Sequence, residues 1–359
     1  MSKRSLTPRA AVWLLAAFIA SSCAERESVL IPRRTLFDNP PKASPAISPD
    51  GTRMAYLAPA GGVLNVHVRT IGSEDDRPLT REVERGIKAY HWTRNSGQIL
   101  YVYDRTGMED YRLYGVDVST GRVRDYTPYD SLTVSVIALW NQNPDMALIQ
   151  MGRESAGAPD AYRLDLVTGE LTLAAKNPGS VARWYADTSF CVRGALAVDP
   201  DGGSTLLVRA SEGDPWRALR RWTLEESASS GPLRFTRDAA AIYCIDARGA
   251  NAGRLAKISL ADSSLSVIAA HPRYDVSMVW LDPRTHDVQA VFFAGQRSEY
   301  TVVDPSVESD IAALGGLAEG EFGLVSRDAA DAVGPVRYLR DNGPVSYYAY
   351  DRRTREGTF

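Results

Sequence analysis

The sequence predicts an all-β fold, a seven-bladed β-propeller of four-stranded blades preceded by a signal segment. A phrase made of an apolar strand end, a tight polar turn and a second apolar strand begins at Ser48, Thr93, Asn141, near Ala186, and at Thr236, Asp282 and Ser326. The spacing of 44–50 residues is the period of a propeller blade. A second turn recurs in phase with the first, as Ser119-Thr120-Gly121, Asp165–Gly169, Ser259–Asp262, Asp304-Pro305-Ser306 and Asp351–Thr354. A bulky residue stands at or just before each first turn: Ile47, Trp92, Trp140, Trp184, Phe235, Leu281 and Val325. Facing blades are expected to bury these side chains against each other as core.

Taken in chain order, the first segment differs in kind from the rest. Lys3, Arg4 and Arg9 precede an apolar run from Ala10 to Ala20, too short to span a bilayer and typical of a secretory signal. Ala20-Ser21-Ser22-Cys23 follows. It is similar to a bacterial lipobox, in which Cys23 becomes the lipidated first residue, although Ser22-Cys23-Ala24 also suits an ordinary signal peptidase. Residues 1–23 are therefore assigned to the signal, 24–43 to a lead-in and 44–359 to the propeller. The expected location is the periplasm, with a lipid anchor on Cys23 and Ala24 pointing to the outer membrane.

The second unit shows how a blade is built. Tyr90–Trp92 reads as an inner strand, Thr93–Gly97 as a turn, Gln98–Tyr103 as a second strand, Tyr111–Val118 as a third and Arg122–Thr127 as an outer fourth. Glycine supplies positive φ in such turns, and Asp, Asn and Ser bond back to their own backbone. The seventh unit reaches its third strand at Tyr347–Asp351 and leaves only eight residues after it, so its outer strand is expected to be missing, or replaced by a segment around Leu36-Phe37. Ser306–Leu314, apolar at Val307, Ile311 and Leu314, reads as a short rim helix capped by Ser306 or Ser309.

Composition sets the function classes. The hydrophobic share is 44%, enough for a packed core. The net charge of −3 moves to −6 once residues 1–22 are removed, and no basic stripe forms, which argues against nucleic acid. Cys191 and Cys244 lie in apolar strands one repeat apart; an oxidising compartment permits a bridge, and buried free thiols are the alternative. His67, His91, His271 and His286 sit in four different repeats without metal-ligand spacing, so no metal and no cofactor are expected. Carboxylates or histidines converging on the propeller axis are the arrangement that spacing leaves open.

The stretch Ile31–Pro40 followed by Ala43–Gly51 resembles the start of the propeller in bacterial dipeptidyl aminopeptidase/acylaminoacyl-peptidase-like proteins of the prolyl oligopeptidase family. The resemblance continues through Gly62–Thr70, Tyr101–Asp104, Asp160–Asp165 and Tyr347–Arg352. It implies a serine peptidase whose C-terminal α/β-hydrolase domain carries a Ser-Asp-His triad, with the propeller restricting access to short peptides. The nucleophile elbow G-x-S-x-G does not occur in these 359 residues. Gly152–Gly157 has one residue too many, so no catalytic residue is assigned and no α/β-hydrolase domain is expected here.

Asp104-Arg105-Thr106-Gly107-Met108-Glu109-Asp110 is similar to a loop of that family, D-x-x-G-x-E-N, with Asp110 in place of the usual Asn. Asp104, Glu109 and Asp110 are thus candidate substrate-binding residues, able to hold a peptide's amino terminus by charge-assisted hydrogen bonds. The rival role is to cap the turn and pair with Arg105 or Arg112. The leading expectation is the propeller of an exported peptidase, gating peptides toward a catalytic domain outside this sequence. A lipoprotein propeller that binds a protein partner is the alternative, and a propeller enzyme with acid-base carboxylates at its axis is the third.

Overall fold

The computed structural model describes residues 30–152 and 158–359; the signal segment and Cys23 lie outside these. The chain divides into two units, Met1–Asn39 and Pro40–Phe359. In the first, α1 (Arg33–Phe37) is a single helical turn with every residue exposed. The segment around Leu36-Phe37 is therefore helical, not a strand.

The second unit is all-β, a succession of antiparallel meanders in sequence order. The first comprises β1 (Ala43–Ile47), β2 (Arg53–Ala60), β3 (Val63–Thr70) and β4 (Arg77–Pro78). An eight-stranded sheet follows, made of β5 (Ala89–Trp92), β6 (Gln98–Asp104), β7 (Tyr111–Asp117) and β8 (Val123–Asp125), then β9 (Thr133–Ala138), β10 (Met146–Gly152), β11 (Asp160–Asp165) and β12 (Leu171–Ala175). A parallel bridge between Tyr111 and Thr133 joins its two four-stranded halves. β13 (Val181–Ala186), β14 (Val192–Val198), β15 (Ser204–Val208) and β16 (Arg217–Trp222) come next, then α2 (Leu224–Ser227). β17 (Gly231–Phe235), β18 (Ala241–Asp246), β19 (Arg254–Ser259) and β20 (Leu265–Ala269) form another four-stranded sheet.

The next sheet departs from the expected four strands. β21 (Val276–Leu281), β22 (Val288–Ala294) and β23 (Ser298–Val302) are followed by a 3₁₀ turn at Pro305–Val307 and by α3 (Glu308–Leu317). The turn is capped by Asp304, whose side chain accepts from the Ser306 N–H, not by Ser306 or Ser309. Val307, Ile311 and Leu314 are buried as their spacing requires. Asp310 on α3 accepts from the Tyr350 hydroxyl at 3.0 Å and from Arg352 Nε at 2.9 Å, and the Tyr338 hydroxyl donates to the Leu314 carbonyl at 2.6 Å. The helix thus stands in the chain where an outer strand would run and is tied to the last sheet.

That last sheet corrects a further expectation. β24 (Glu321–Leu324), β25 (Val333–Leu339) and β26 (Ser346–Asp351) are joined by a fourth strand, β27 (Glu356–Thr358), paired with β26. Three residues suffice because Arg355, at φ +59°, turns the chain back at once, with its N–H on the Asp351 carbonyl.

Neighbouring meanders are stitched side by side through their first turns. The Asp50 N–H donates to Ser96 Oγ at 3.1 Å, and Asn95 donates to Asp145 at 2.6 Å. Arg163 Nε reaches the Phe190 carbonyl at 3.1 Å, Arg193 the Ala239 carbonyl at 3.3 Å, and Arg237 the Arg284 carbonyl. Arg327 donates to Gln289 at 2.7 Å. The series closes on itself: the Ile47 N–H donates to Ser326 Oγ at 3.0 Å, and the Ala329 N–H to the Pro49 carbonyl at 2.8 Å. Among the described residues no strand is exchanged between the first and last sheets.

Cys191 and Cys244 are both free, so the permitted bridge is not formed. Register gives the reason. Cys191 closes its first turn through Asp187, the place that Ala241 takes opposite Thr236 in the next meander. Cys244 lies three residues deeper, a displacement of roughly 10 Å along the strand, beyond disulfide reach.

A fully buried carboxylate fixes the junction of the β13–β16 and β17–β20 sheets. Asp246 accepts from Arg220 on both oxygens at 2.8 and 2.9 Å, from Trp222 Nε1 at 2.8 Å and from Arg254 at 3.1 Å. Removing one partner of such a cluster strands buried charge. Asp246→Ala is therefore expected to lower unfolding free energy by about 3–5 kcal/mol, measured by urea denaturation. A loss under about 1 kcal/mol would mean the cluster behaves like a surface pair.

Candidate functional site

The first strand of each meander and its turn line a central cavity. One lobe, of about 720 Å³, is bounded by the turns that follow β5, β9, β17, β21, β24 and the end of β1. A second lobe, of about 510 Å³, runs along β9, β13 and the end of β17. Both lobes share Arg94, Leu139, Trp140 and Arg234. These four residues therefore mark where the lobes meet.

At that junction three side chains from different meanders converge. The Arg234 guanidinium stacks on the Trp140 ring at 4.7 Å and contacts His286 Nε2 at 3.2 Å. The rings of Trp140 and His286 are 5.3 Å apart. Trp140 follows β9 and His286 follows β21, so residues far apart in the series meet across the cavity. Arg94 stands beside them, with its Nε donating to the Leu139 carbonyl at 3.1 Å. His286 holds φ +64°, which turns its ring inward from a tight turn closed by its own N–H on the Asp282 carbonyl.

The charge of this lining is one-sided. Arg94, Arg183, Arg234, Arg237, Arg284 and Arg327 line the two lobes, against a single carboxylate, Asp328. Asp282 pairs with Arg284 at 3.0 Å and Asp331 with Arg327 at 2.8 Å. Among the described residues neither Arg94 nor Arg234 has a carboxylate at ion-pair distance. Burial, aided by the charge of Arg94, pushes the Arg234 pKa down to about 10. Burial likewise lowers that of Arg94. His286 is held down to about 4 by burial and then by Arg234 and Arg237, against the opposing pull of Asp282 and Asp287. At neutral pH it is an uncharged imidazole between cations.

These positions correct two expectations. Among the described residues no set of carboxylates converges on the axis, where Asp328 is the one lining carboxylate. The first-turn aromatics also divide: Trp92, Trp184 and Phe235 are buried, whereas Trp140 is only half-buried and faces the junction. Arg234 was not singled out from sequence, and His286 was named only as one of four histidines without metal-ligand spacing. The available signal was a charged residue one place before Phe235 on an inner strand, where neighbours are apolar.

The candidate loop lies at the opposite end of β6 from the first turn. Asp104 accepts from the N–H groups of Gly107 at 2.7 Å and of Thr106 and Glu109 at 3.2 Å. Burial works against its ionised form, but these bonds and Arg85 outweigh it and hold its pKa below the usual carboxylate range. Asp110 accepts from the Leu132 N–H at 2.9 Å and faces Arg112 at 3.4 Å. Glu109 is exposed at φ +63°. The loop is thus tied by Asp104 and Asp110, leaving Glu109 presented to solvent. Among the described residues no group of His, Cys, Asp and Glu could hold a metal ion.

Similarity to known proteins bears on both features. The chain is 34% identical over 340 residues to dipeptidyl aminopeptidase BIII of Pseudoxanthomonas mexicana, covering 94% of this chain and 49% of that protein. It is 25% identical to dipeptidyl peptidase family member 6 of Caenorhabditis elegans, over 90% of this chain and 46% of that one. The chain therefore spans about half the length of the curated relatives it matches. No family model matches. Among solved structures, a prolyl endopeptidase superposes with a TM-score of 0.66 at 12% identity, over 98% of this chain and 55% of that one. A puromycin-hydrolyzing peptidase of Mycobacterium tuberculosis gives 0.61 at 14%, over 88% and 52%. An oligogalacturonate lyase of Vibrio parahaemolyticus gives 0.55 at 12%, over 88% of this chain and 90% of that chain.

The buried imidazole makes a pH prediction. Its folded pKa lies near 4, below the ordinary 6.5, so the unfolded chain binds the proton more readily between these values. Stability should therefore fall as pH drops from 6.5 toward 4, and His286→Gln should flatten part of that slope. Urea midpoints measured across this window check it. Parallel slopes for both proteins would show that His286 titrates normally.

Proposed function

We propose, from the chain's place in the prolyl oligopeptidase family, that it is the N-terminal, seven-bladed propeller of an exported serine peptidase. In this reading it gates peptides toward a catalytic domain that lies outside the sequence. The carrying observation is the 34% identity across 94% of this chain to one half of a dipeptidyl aminopeptidase. The meeting of Trp140, Arg234 and His286 across the cavity supports a gate, because it narrows the axis while leaving a lobe on either side. A folded protein could not pass such a constriction; an extended short peptide could be held at it. On the far side of the β5–β8 meander, Glu109 is free to meet a peptide's amino terminus.

No step of peptide hydrolysis is assigned to residues of this chain. The acyl-transfer nucleophile, its base and the oxyanion donors would come from the joined domain, with the propeller excluding large substrates. Export and a lipid anchor on Cys23 belong to the same reading and rest on the signal-like first residues. A second reading is a propeller that acts by itself as an interaction module. What favours it is fold alone: a solved chain of similar fold is covered over 90% of its length.

An in-frame fusion to the hydrolase half of dipeptidyl aminopeptidase BIII tests the gate. The fusion should release dipeptides from short peptides and leave a folded protein of the same terminal sequence intact, while the chain alone releases no dipeptide from either. Glu109→Gln should raise KM for free-amino peptides by about tenfold with little change in kcat, the loss of one charge-assisted bond. A fusion that degrades folded protein as fast as short peptide would remove the gate. For the anchor, the full chain expressed in a Gram-negative host should incorporate labelled palmitate, and Cys23→Ala should abolish the label. Equal labelling of both would rule out Cys23.

A further inference from the structure

The junction of the two lobes has cations without counter-ions. Arg94 and Arg234 come from β5's turn and from β17, and neither meets a carboxylate among the described residues. Arg234 Nε, Trp140 Nε1 and Trp280 Nε1, all of residues lining the larger lobe, are buried donors with no acceptor. The lone lining carboxylate, Asp328, is engaged elsewhere, accepting from the Ala332 N–H at 2.7 Å and the Val333 N–H at 3.1 Å. His286, neutral, can accept one hydrogen bond from Arg234 but cannot balance its charge. Two partly buried guanidinium groups that repel each other and meet no carboxylate favour an anion between them.

The remaining geometry says what kind of anion suits the place. A guanidinium presents a planar fork that matches a carboxylate, and the Arg234 guanidinium is held over the Trp140 ring at 4.7 Å. The lining of the same lobe is mixed, with Leu139, Trp280 and Met278 among its arginines. A small hydrated ion would use the arginines alone and gain nothing from the apolar part of the lining. A carboxylate carried on an apolar or peptide stem fits both halves of the site.

We propose that the axial junction binds the terminal carboxylate of a short peptide between Arg94 and Arg234, with Trp140 packing against the residue that bears it. This inference rests on the peptide-gating reading and deepens it, giving the gate a preference for peptides with a free, charged C-terminus. The propeller would then hold a peptide by the end opposite to the one a dipeptidyl aminopeptidase cuts.

The test is calorimetric titration of the full chain with a tripeptide, with the same tripeptide as its C-terminal amide, and with inorganic phosphate. The free acid should bind at least about tenfold tighter than the amide, the difference expected of a desolvated charge-assisted pair. Arg234→Met should remove that difference. Should that variant fail to fold, Arg94→Gln makes the same test, since its Nε holds only the neighbouring Leu139 carbonyl. Equal binding of acid and amide, no binding of either, or phosphate binding tighter than the free acid would each overturn the proposal. None of these outcomes touches the gate itself, which the fusion assay judges by substrate size with blocked and free peptides alike.

Discussion

The structure depends on a contact that the chain makes with its own beginning. Ser326 and Ala329 in the last sheet meet Ile47 and Pro49 in the first, through one side-chain and one backbone hydrogen bond. Because no strand is shared across this seam among the described residues, the closure rests on hydrogen bonds at the first turns, of the kind that also join the other neighbours. An open seam would expose the apolar faces that the first and last sheets turn toward each other. Closure removes that hazard and gives the molecule an axis.

Once the axis exists, whatever stands at the end of an inner strand points toward residues from distant parts of the sequence. That is how Trp140, Arg234 and His286, which are 52 residues or more apart in sequence, come into contact. Their chemistry follows from crowding. Burial weakens the preference of Arg94 and Arg234 for their charged forms and suppresses protonation of His286, yet the guanidiniums remain cations at any physiological pH. The centre is therefore electropositive by construction, in a chain whose overall charge is negative. Local field and net charge are separate quantities, and only the first governs what the axis attracts.

Much of this architecture was legible in the sequence because its turns carry their own chemistry. Asp117 and Asp165 each accept from N–H groups two and three residues on, so the recurring Asp-x-x-Thr-Gly marks a turn without tertiary help. Strand limits in the second repeat came out within a residue or two for the same reason. The rim helix was visible from Val307, Ile311 and Leu314, although its cap was not, since Asp304 acts through a 3₁₀ turn that precedes the helix. β27 was invisible because three residues carry no periodicity. The fate of the first-turn aromatics could not be read locally: Trp184 and Trp140 hold equivalent places, and only the neighbouring meander decides which is covered. The axial arginines were missed because convergence on an axis is a property of closure, not of spacing.

Hydrogen exchange at single-amide resolution tests the closed ring most directly. The Ile47 and Ala329 amides cross the seam, and a closed array protects them as strongly as the Asp50 amide, which crosses between the first two meanders. Seam amides that exchange at the rate of an unstructured chain, while the Asp50 amide stays protected, would show an open array and contradict the central axis on which the site is built.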